Sequence, residues 1–289
     1  MPPHLVTRAK DRDKFNNHSM KTRIPNSNIV AALILLGLAF AVGQFVFAAD
    51  QKQARVTEVI RDVNLLSPKA AARVAVVNDT VHEGHSVRTG TESRAELLFL
   101  DQTITRLGAN TVFSFGAGAR TYDLGSGAIL ISAPKSAGSV QVRTAVATSA
   151  VSGFTAIWES HRNNWNKALF FEGDGWVALK KKPNDHRHMH GGQILIFRAD
   201  ATVLPEPQDF NVCGAISNGL LINGFQQQLP SMPLLVAECE RQKQAPGKSD
   251  LIDPTSHDVT DQSISARPEE SAAPPPKPTV PPERGPRRP

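Results

Sequence analysis

From residue 56 to about residue 204 the chain alternates short apolar runs with glycine, asparagine, aspartate and proline breaks, and the period of those runs is two rather than 3.6. Arg94-Ala95-Glu96-Leu97-Leu98-Phe99-Leu100 begins with polar and apolar residues in alternation, as a half-buried strand requires. Asp101-Gln102 interrupts it, and Thr103-Ile104-Thr105-Arg106-Leu107 begins another run. Glu83-Gly84 and Thr89-Gly90 place glycine where a tight turn needs positive φ. The same grammar predicts strands over residues 56–60, 63–66, 74–77, 112–115, 121–124, 128–131, 140–144, 146–154, 156–159, 169–171, 176–179 and 194–197. Gly116-Ala117-Gly118, Gly125-Ser126-Gly127, Pro134 and Glu172-Gly173-Asp174-Gly175 read as turns between them. Short strands spaced by roughly eight to twelve residues, with no strong helix signal among them, predict an all-β fold, solenoid-like or a distorted sandwich.

The ends are different. The run from Ile29 to Ala49 has one polar residue, Gln44, and no charge, long enough for a membrane anchor or a signal-peptide core. As a signal peptide it ends on Val46-Phe47-Ala48 with Ala49 next; as an anchor it keeps the basic leader, residues 1–28, inside by the positive-inside rule. Either way the remainder is expected to be exported, to the periplasm or cell envelope of a bacterium. Reading from Met20 gives an ordinary short basic n-region, so Met20 is expected to be the true start.

Charge then removes one function class. The net charge is +5 and the isoelectric point about 9.4. Six basic residues and two acidic ones lie in the leader, leaving 26 basic against 25 acidic residues from Asp50 onward. A near-neutral chain with one tyrosine lacks the basic, aromatic face that nucleic-acid binding uses, so no nucleic acid is expected as a partner.

Beyond residue 210 the pattern changes again. Residues 211–241 form a small appendage of helical or loop-like pieces, around 216–225 and 234–237, that contains both cysteines, Cys213 and Cys239. In an exported protein two lone cysteines are expected to pair. Residues 242–289 are poor in apolar side chains and hold 11 of the 21 prolines, which predicts a disordered tail with polyproline II stretches.

The central motifs carry a family resemblance. In order they are V-x-E-G (Val81 to Gly84), V-R-T-G (Val87 to Gly90), S-R-A-E-L (Ser93 to Leu97), D-Q-T-I-T-R-L-G (Asp101 to Gly108) and Gly127-Ala128. A V-x-T strand (Val142 to Thr144), A-V-S-G-F-T (Ala150 to Thr155), Glu172-Gly173 and G-G-Q (Gly191 to Gln193) follow. This series resembles the FecR-type extracytoplasmic domain, in the form of a stand-alone exported protein, over residues 55–210. Phe154 departs from it, standing where the family usually has threonine. The resemblance implies an all-β module without catalytic residues or cofactors. The family's namesakes relay a periplasmic signal to a sigma factor through a helical cytoplasmic domain ahead of the membrane segment. Too few residues precede Ile29 here for such a domain, so direct sigma-factor control is not expected.

Candidate chemistry is sparse. His186, His188 and His190 would share one face of a strand and could ligate zinc or copper, but Lys180-Lys181-Lys182-Pro183-Asn184-Asp185 beside them reads as a solvated hairpin loop and its cations disfavour a metal. The expectation is a polar loop. Ser152, Glu159, Glu172 and Asp174 are the residues a hydrolase would use, yet no G-x-S-x-G, Walker or H-E-x-x-H sequence accompanies them. Trp158, Trp165 and Trp176 could form a sugar platform and are expected in the core or at its rim. Glu83, His85, Arg88, Arg94 and Arg106 read as turn and solvated-face residues. The reading favoured by all of this is a non-enzymatic envelope binding or scaffold module whose partner is protein or polysaccharide. The alternatives are a carbohydrate-binding or carbohydrate-active protein and a membrane-anchored signal relay.

Overall fold

The period-two pattern is realised as fifteen strands among the described residues of the computed structural model, which are 53–116, 120–161, 164–245 and 251–254. In chain order they are β1 (Gln53–Ile60), β2 (Val63–Ser67), β3 (Ala70–Val74), β4 (Thr80–His82), β5 (Ser86–Thr89), β6 (Arg94–Phe99), β7 (Ile104–Leu107), β8 (Val112–Phe115), β9 (Thr121–Ala133), β10 (Ser139–Arg143), β11 (Ala147–Ser160), β12 (Trp165–Leu179), β13 (Lys182–His190), β14 (Gln193–Arg198) and β15 (Gln208–Asp209). Three helices follow: α1 (Val212–Asn218), α2 (Leu220–Asn223) and α3 (Met232–Gln244). The leader and the Ile29 to Ala49 run lie outside the described residues, as does most of the tail. Among the described residues no helix is long and apolar enough to cross a membrane.

All fifteen strands belong to one hydrogen-bonded sheet, which doubles over through its long members β9, β11 and β12. The first half of β11 pairs with β10 and with the second half of β12. Its second half pairs with β9 and with the first half of β12. Two layers result. One runs β4-β1-β6-β7-β9-β11-β12-β14-β15, and the other collects β3, β2, β5, β8, β10 and β13 against the remaining halves of the three long strands. The fold is therefore all-β, a distorted sandwich. Val56, Leu97, Phe99, Phe113, Tyr122, Phe154, Trp158 and Phe170 point between the layers and belong to one buried core.

The strand continuity corrects the expectation of uniformly short strands. Glu172-Gly173-Asp174-Gly175 is not a turn; β12 passes straight through it. Gly153 and Gly173, at φ of 57° and 85°, meet across the β11–β12 ladder where its register shifts. A side chain on Gly173 would stand 2.6 Å from the Gly153 carbonyl oxygen and 2.7 Å from Phe154 Cβ. Both glycines thus supply a bulge that turns the strands from one layer into the other without ending them. Phe154 fills the core at this bend, fully buried. In the same way residues 125–127 bend β9 rather than break it.

The second layer leaves its outer face to solvent, whereas the first does not. Ala128, Leu130, Ile157, Leu169, Phe171 and Ile194 form an apolar outer face there, covered by Phe210, Val212, Leu221, Leu229 and Leu235 from the C-terminal segment. Helix α3 continues to Gln244, beyond the boundary at 241 that composition suggests, and Ile252 pairs with Phe210.

Candidate functional site

Two charged hairpin pairs fasten the C-terminal segment to the sheet. In the β6–β7 hairpin Glu96 and Arg106 are direct cross-strand partners, both pointing to the outer face. Arg106 is wholly buried. Its Nε donates to Glu96 Oε2 at 2.7 Å, while its terminal nitrogens donate to the Leu221 and Ile222 carbonyls at 3.1 and 2.8 Å and to the Gln227 carbonyl. The guanidinium lies 4.4 Å from the centre of the Phe225 ring. Thr57 donates to the other Glu96 oxygen at 2.8 Å. Burial lowers the Arg106 pKa, and the hydrogen bond and charge of Glu96 oppose that shift. One arginine thus satisfies carbonyls at the end of α2 that no helical partner can reach.

The second pair is Glu159 and Lys167, opposite each other on β11 and β12 and both buried. Lys167 Nζ stands 3.4 Å from Glu159 Oε2 and donates to the Pro254 carbonyl at 2.7 Å. Between the two clamps lies a hydroxyl cluster. Thr155 Oγ1 is 2.7 Å from Ser231, 3.2 Å from Ser132 and 3.0 Å from Glu172 Oε1. Burial raises the Glu172 pKa, opposed by its Thr155 hydrogen bond and by Lys135. A carboxyl raised in this way favours the fold at acid pH, and its contribution fades as pH rises through the folded-state pKa.

Within the appendage Gln242 accepts from the Val212 amide and donates to the Phe210 carbonyl. Asn211 caps α1 by accepting from the Gly214 amide at 2.8 Å. Cys213 and Cys239 form a disulfide joining α1 to α3, with Cα atoms 4.9 Å apart. Replacing both with serine is expected to lower stability by about 3–4 kcal/mol, from the entropy of the loop the bond closes. Urea denaturation of the oxidised protein and the double variant measures it.

The appendage occupies the outer face of the first layer, so the solvent-facing side of the second is the surface open to ligands. It is built from β10, β11, β12 and β13 in register. Ser139, Ser152, Asp174 and His190 form one row, and Gln141, Ala150, Trp176 and His188 the next. Val140, Val151, Val177 and Met189 fill the opposite, buried side. A groove of about 310 Å³ runs over this face beside Trp176.

The histidine segment is a strand, not the polar loop expected from its lysine-rich neighbour. Only Lys180 and Lys181 form the turn, and Pro183 is tolerated because β13 pairs on one side alone. His186, His188 and His190 line its exposed side. His190 Nδ1 meets Asp174 Oδ1 at 2.8 Å, and the His186 and His188 rings pack edge to face at 5.0 Å. Alternate residues on a strand stand roughly 7 Å apart, so three of them spread along a line rather than converge. Among the described residues no group of three metal-ligating side chains is placed to hold an ion.

The other sequence candidates are scattered. Ser152 and Asp174 face solvent, Glu172 turns to Thr155, and Glu159 is held by Lys167. Glu159 and Glu172 sit four register steps apart on the β11–β12 ladder, roughly 13 Å, too far for a glycosidase carboxylate pair. Trp158 and Trp165 are core residues; Trp176 alone of the three is half-buried on the open face. A second cleft, about 430 Å³, opens beside Arg143, Ser160, His161 and Asn166. Arg143 and Asp123 are paired there through two 2.8 Å hydrogen bonds, which raise the arginine's pKa.

The family model described as FecR protein matches residues 85–173, from the start of β5 to the bulge in β12. The chain carries a FecR-type domain. Residues 85–173 include the Glu96–Arg106 and Glu159–Lys167 pairs, while the C-terminal segment they grip lies beyond the match. Two crystal structures of a candidate anti-sigma factor from Parabacteroides distasonis, at 1.65 and 2.50 Å resolution, are similar at 14% and 16% identity with TM-scores of 0.38 and 0.40. The alignments cover 43% and 48% of this chain and 59% and 67% of those chains. No curated protein matches the sequence.

Both clamps escaped sequence reasoning, although a signal exists. Glu96 and Arg106 are equidistant from Asp101, at the turn, and an acid and a base mirrored about a hairpin turn are cross-strand neighbours.

Proposed function

We propose that this chain is a non-enzymatic, exported binding module of a bacterial envelope, associated with signalling and attached or delivered through the run from Ile29 to Ala49. The observation that carries it is the FecR-type domain at residues 85–173. The Cys213–Cys239 bond supports an oxidising compartment, because disulfides are rare where thiols are kept reduced. The organisation proposed with it is a leader (1–28), an export or anchor segment (29–49), a FecR-like domain (55–210), a two-cysteine appendage and a proline-rich tail. The open face of β10–β13 is the partner surface, since the clamped face is already occupied. Fractionation of cells with N-terminal sequencing of the recovered chain tests the reading. The protein is expected in the periplasm or envelope, beginning near residue 50 if cleaved and upstream of Ile29 if anchored; recovery from the cytoplasm with free thiols overturns it.

A further inference from the structure

The open face has a composition of its own. Trp176 sits at its centre with Ala150 and His188 as lateral neighbours, and Asp174, Ser152 and His190 fill the adjacent row. Ala150 adds little bulk beside the half-buried indole, the His186 ring packs edge to face with it at 6.2 Å, and the groove of about 310 Å³ is lined by Trp176 and Ala150. Such a surface offers a flat apolar platform bordered by short hydrogen-bonding groups that both donate and accept. That mixture suits a pyranose ring, with one apolar face and a rim of hydroxyls.

The charge at the end of this face narrows the class. Lys180 and Lys181 form the turn of the β12–β13 hairpin and Lys182 begins β13; all three are exposed, and none is engaged by an acidic side chain among the described residues. Of the nearby acids, Asp185 is paired with Arg187, and Asp174 shares a hydrogen bond with His190. Arg143, on β10, is paired with Asp123 on β9. The surface therefore presents three uncommitted ammonium groups beyond an aromatic platform, and a polymer with carboxylates on its sugars complements both features at once.

We infer that the solvent face of β10–β13 binds an anionic polysaccharide of the uronate class, with Trp176 stacking on one sugar ring and Lys180, Lys181 and Lys182 neutralising carboxylates along the strand. This rests on the reading of the chain as an envelope binding module and names the ligand class of its open face. No bond is made or broken.

Calorimetry on the full oxidised chain with alginate oligomers, neutral cello-oligosaccharides and poly-glutamate tests it. Alginate oligomers are expected to bind saturably, with neutral oligomers and poly-glutamate each weaker by about tenfold or more. Trp176→Ala should weaken alginate binding by about tenfold and Trp176→Phe by less. The triple Lys180→Gln, Lys181→Gln, Lys182→Gln variant should flatten its salt dependence. Thermal melts verify that each variant folds; Trp176 and the lysines lie outside the core, and Trp176→Phe provides a second measurement if alanine perturbs the sheet. The inference is overturned if alginate fails to bind, if poly-glutamate binds as tightly, or if Trp176→Ala leaves affinity unchanged. An envelope-located chain that ignores alginate removes this inference alone, whereas a cytoplasmic chain removes the envelope reading without altering the binding curve.

Discussion

Replacing Arg106 with alanine is expected to cost the folded protein about 3–5 kcal/mol, and more of that loss should fall on the appendage than on the sandwich. The side chain is wholly buried and donates to one carboxylate and three main-chain carbonyls. Removing it leaves Glu96 as a buried charge with only the Thr57 hydroxyl to support it, and strips partners from carbonyls of residues 221, 222 and 227. Each unsatisfied buried acceptor costs about 1–3 kcal/mol, so relaxation must follow. The least costly relaxation is to lift residues 220–227 into water. The disulfide still joins α1 to α3, so the segment should loosen as a loop instead of separating altogether. Two measurements check this: urea denaturation for the total loss, and limited proteolysis for new cleavage between α2 and α3. Arg106→Lys should rescue little, because a single ammonium cannot serve a carboxylate and three carbonyls in a planar fork. A loss below about 1 kcal/mol for the alanine variant would show that the clamp does not hold the appendage.

How far the sequence could be read depended on whether the cause of a feature was local. Alternation in residues 94–100 and the break at Asp101-Gln102 are local, and β6 and β7 form where they predict. The bend at Gly153 and Gly173 depends on two strands meeting at their glycines, so each glycine read alone resembles a turn. Arg106 is the clearest failure. It occupies an outward position just as Arg88 does, and outward arginines normally meet solvent; Arg88 is exposed and Arg106 is not. What separates them is a helix more than a hundred residues later in the chain. Periodicity identifies the two faces of a strand, but it does not say which outer face a later segment will cover. The histidines show the converse, since their period-two spacing was visible while the lysines before them suggested a loop. The pairing with Asp174, Trp176 and Ala178 kept that segment in the sheet.

The second large effect is expected at the other clamp, and it separates the cost of breaking a buried pair from the value of having one. Glu159 and Lys167 are both fully buried, 3.4 Å apart at the nearest atoms, and the lysine also holds the Pro254 carbonyl. Lys167→Met preserves most of the aliphatic stem while leaving the buried Glu159 without its ammonium partner, with the His161 ring 3.9 Å away as the remaining polar neighbour. The single variant should therefore lose about 3–5 kcal/mol. Adding Glu159→Leu removes the orphaned charge, and because two buried charges are expensive to desolvate, the double variant should recover to within about 1–2 kcal/mol of the original protein. The remaining deficit reflects the Pro254 carbonyl, which would have lost its donor. Denaturation of the wild-type, both single and the double variants closes the cycle and measures the coupling directly. Additive losses would mean that the two side chains do not act as a pair and would place the importance of Lys167 in its contact with Pro254. A recovered double variant would instead show that the pair contributes little net stability, so that its main consequence is to fix where the C-terminal segment docks.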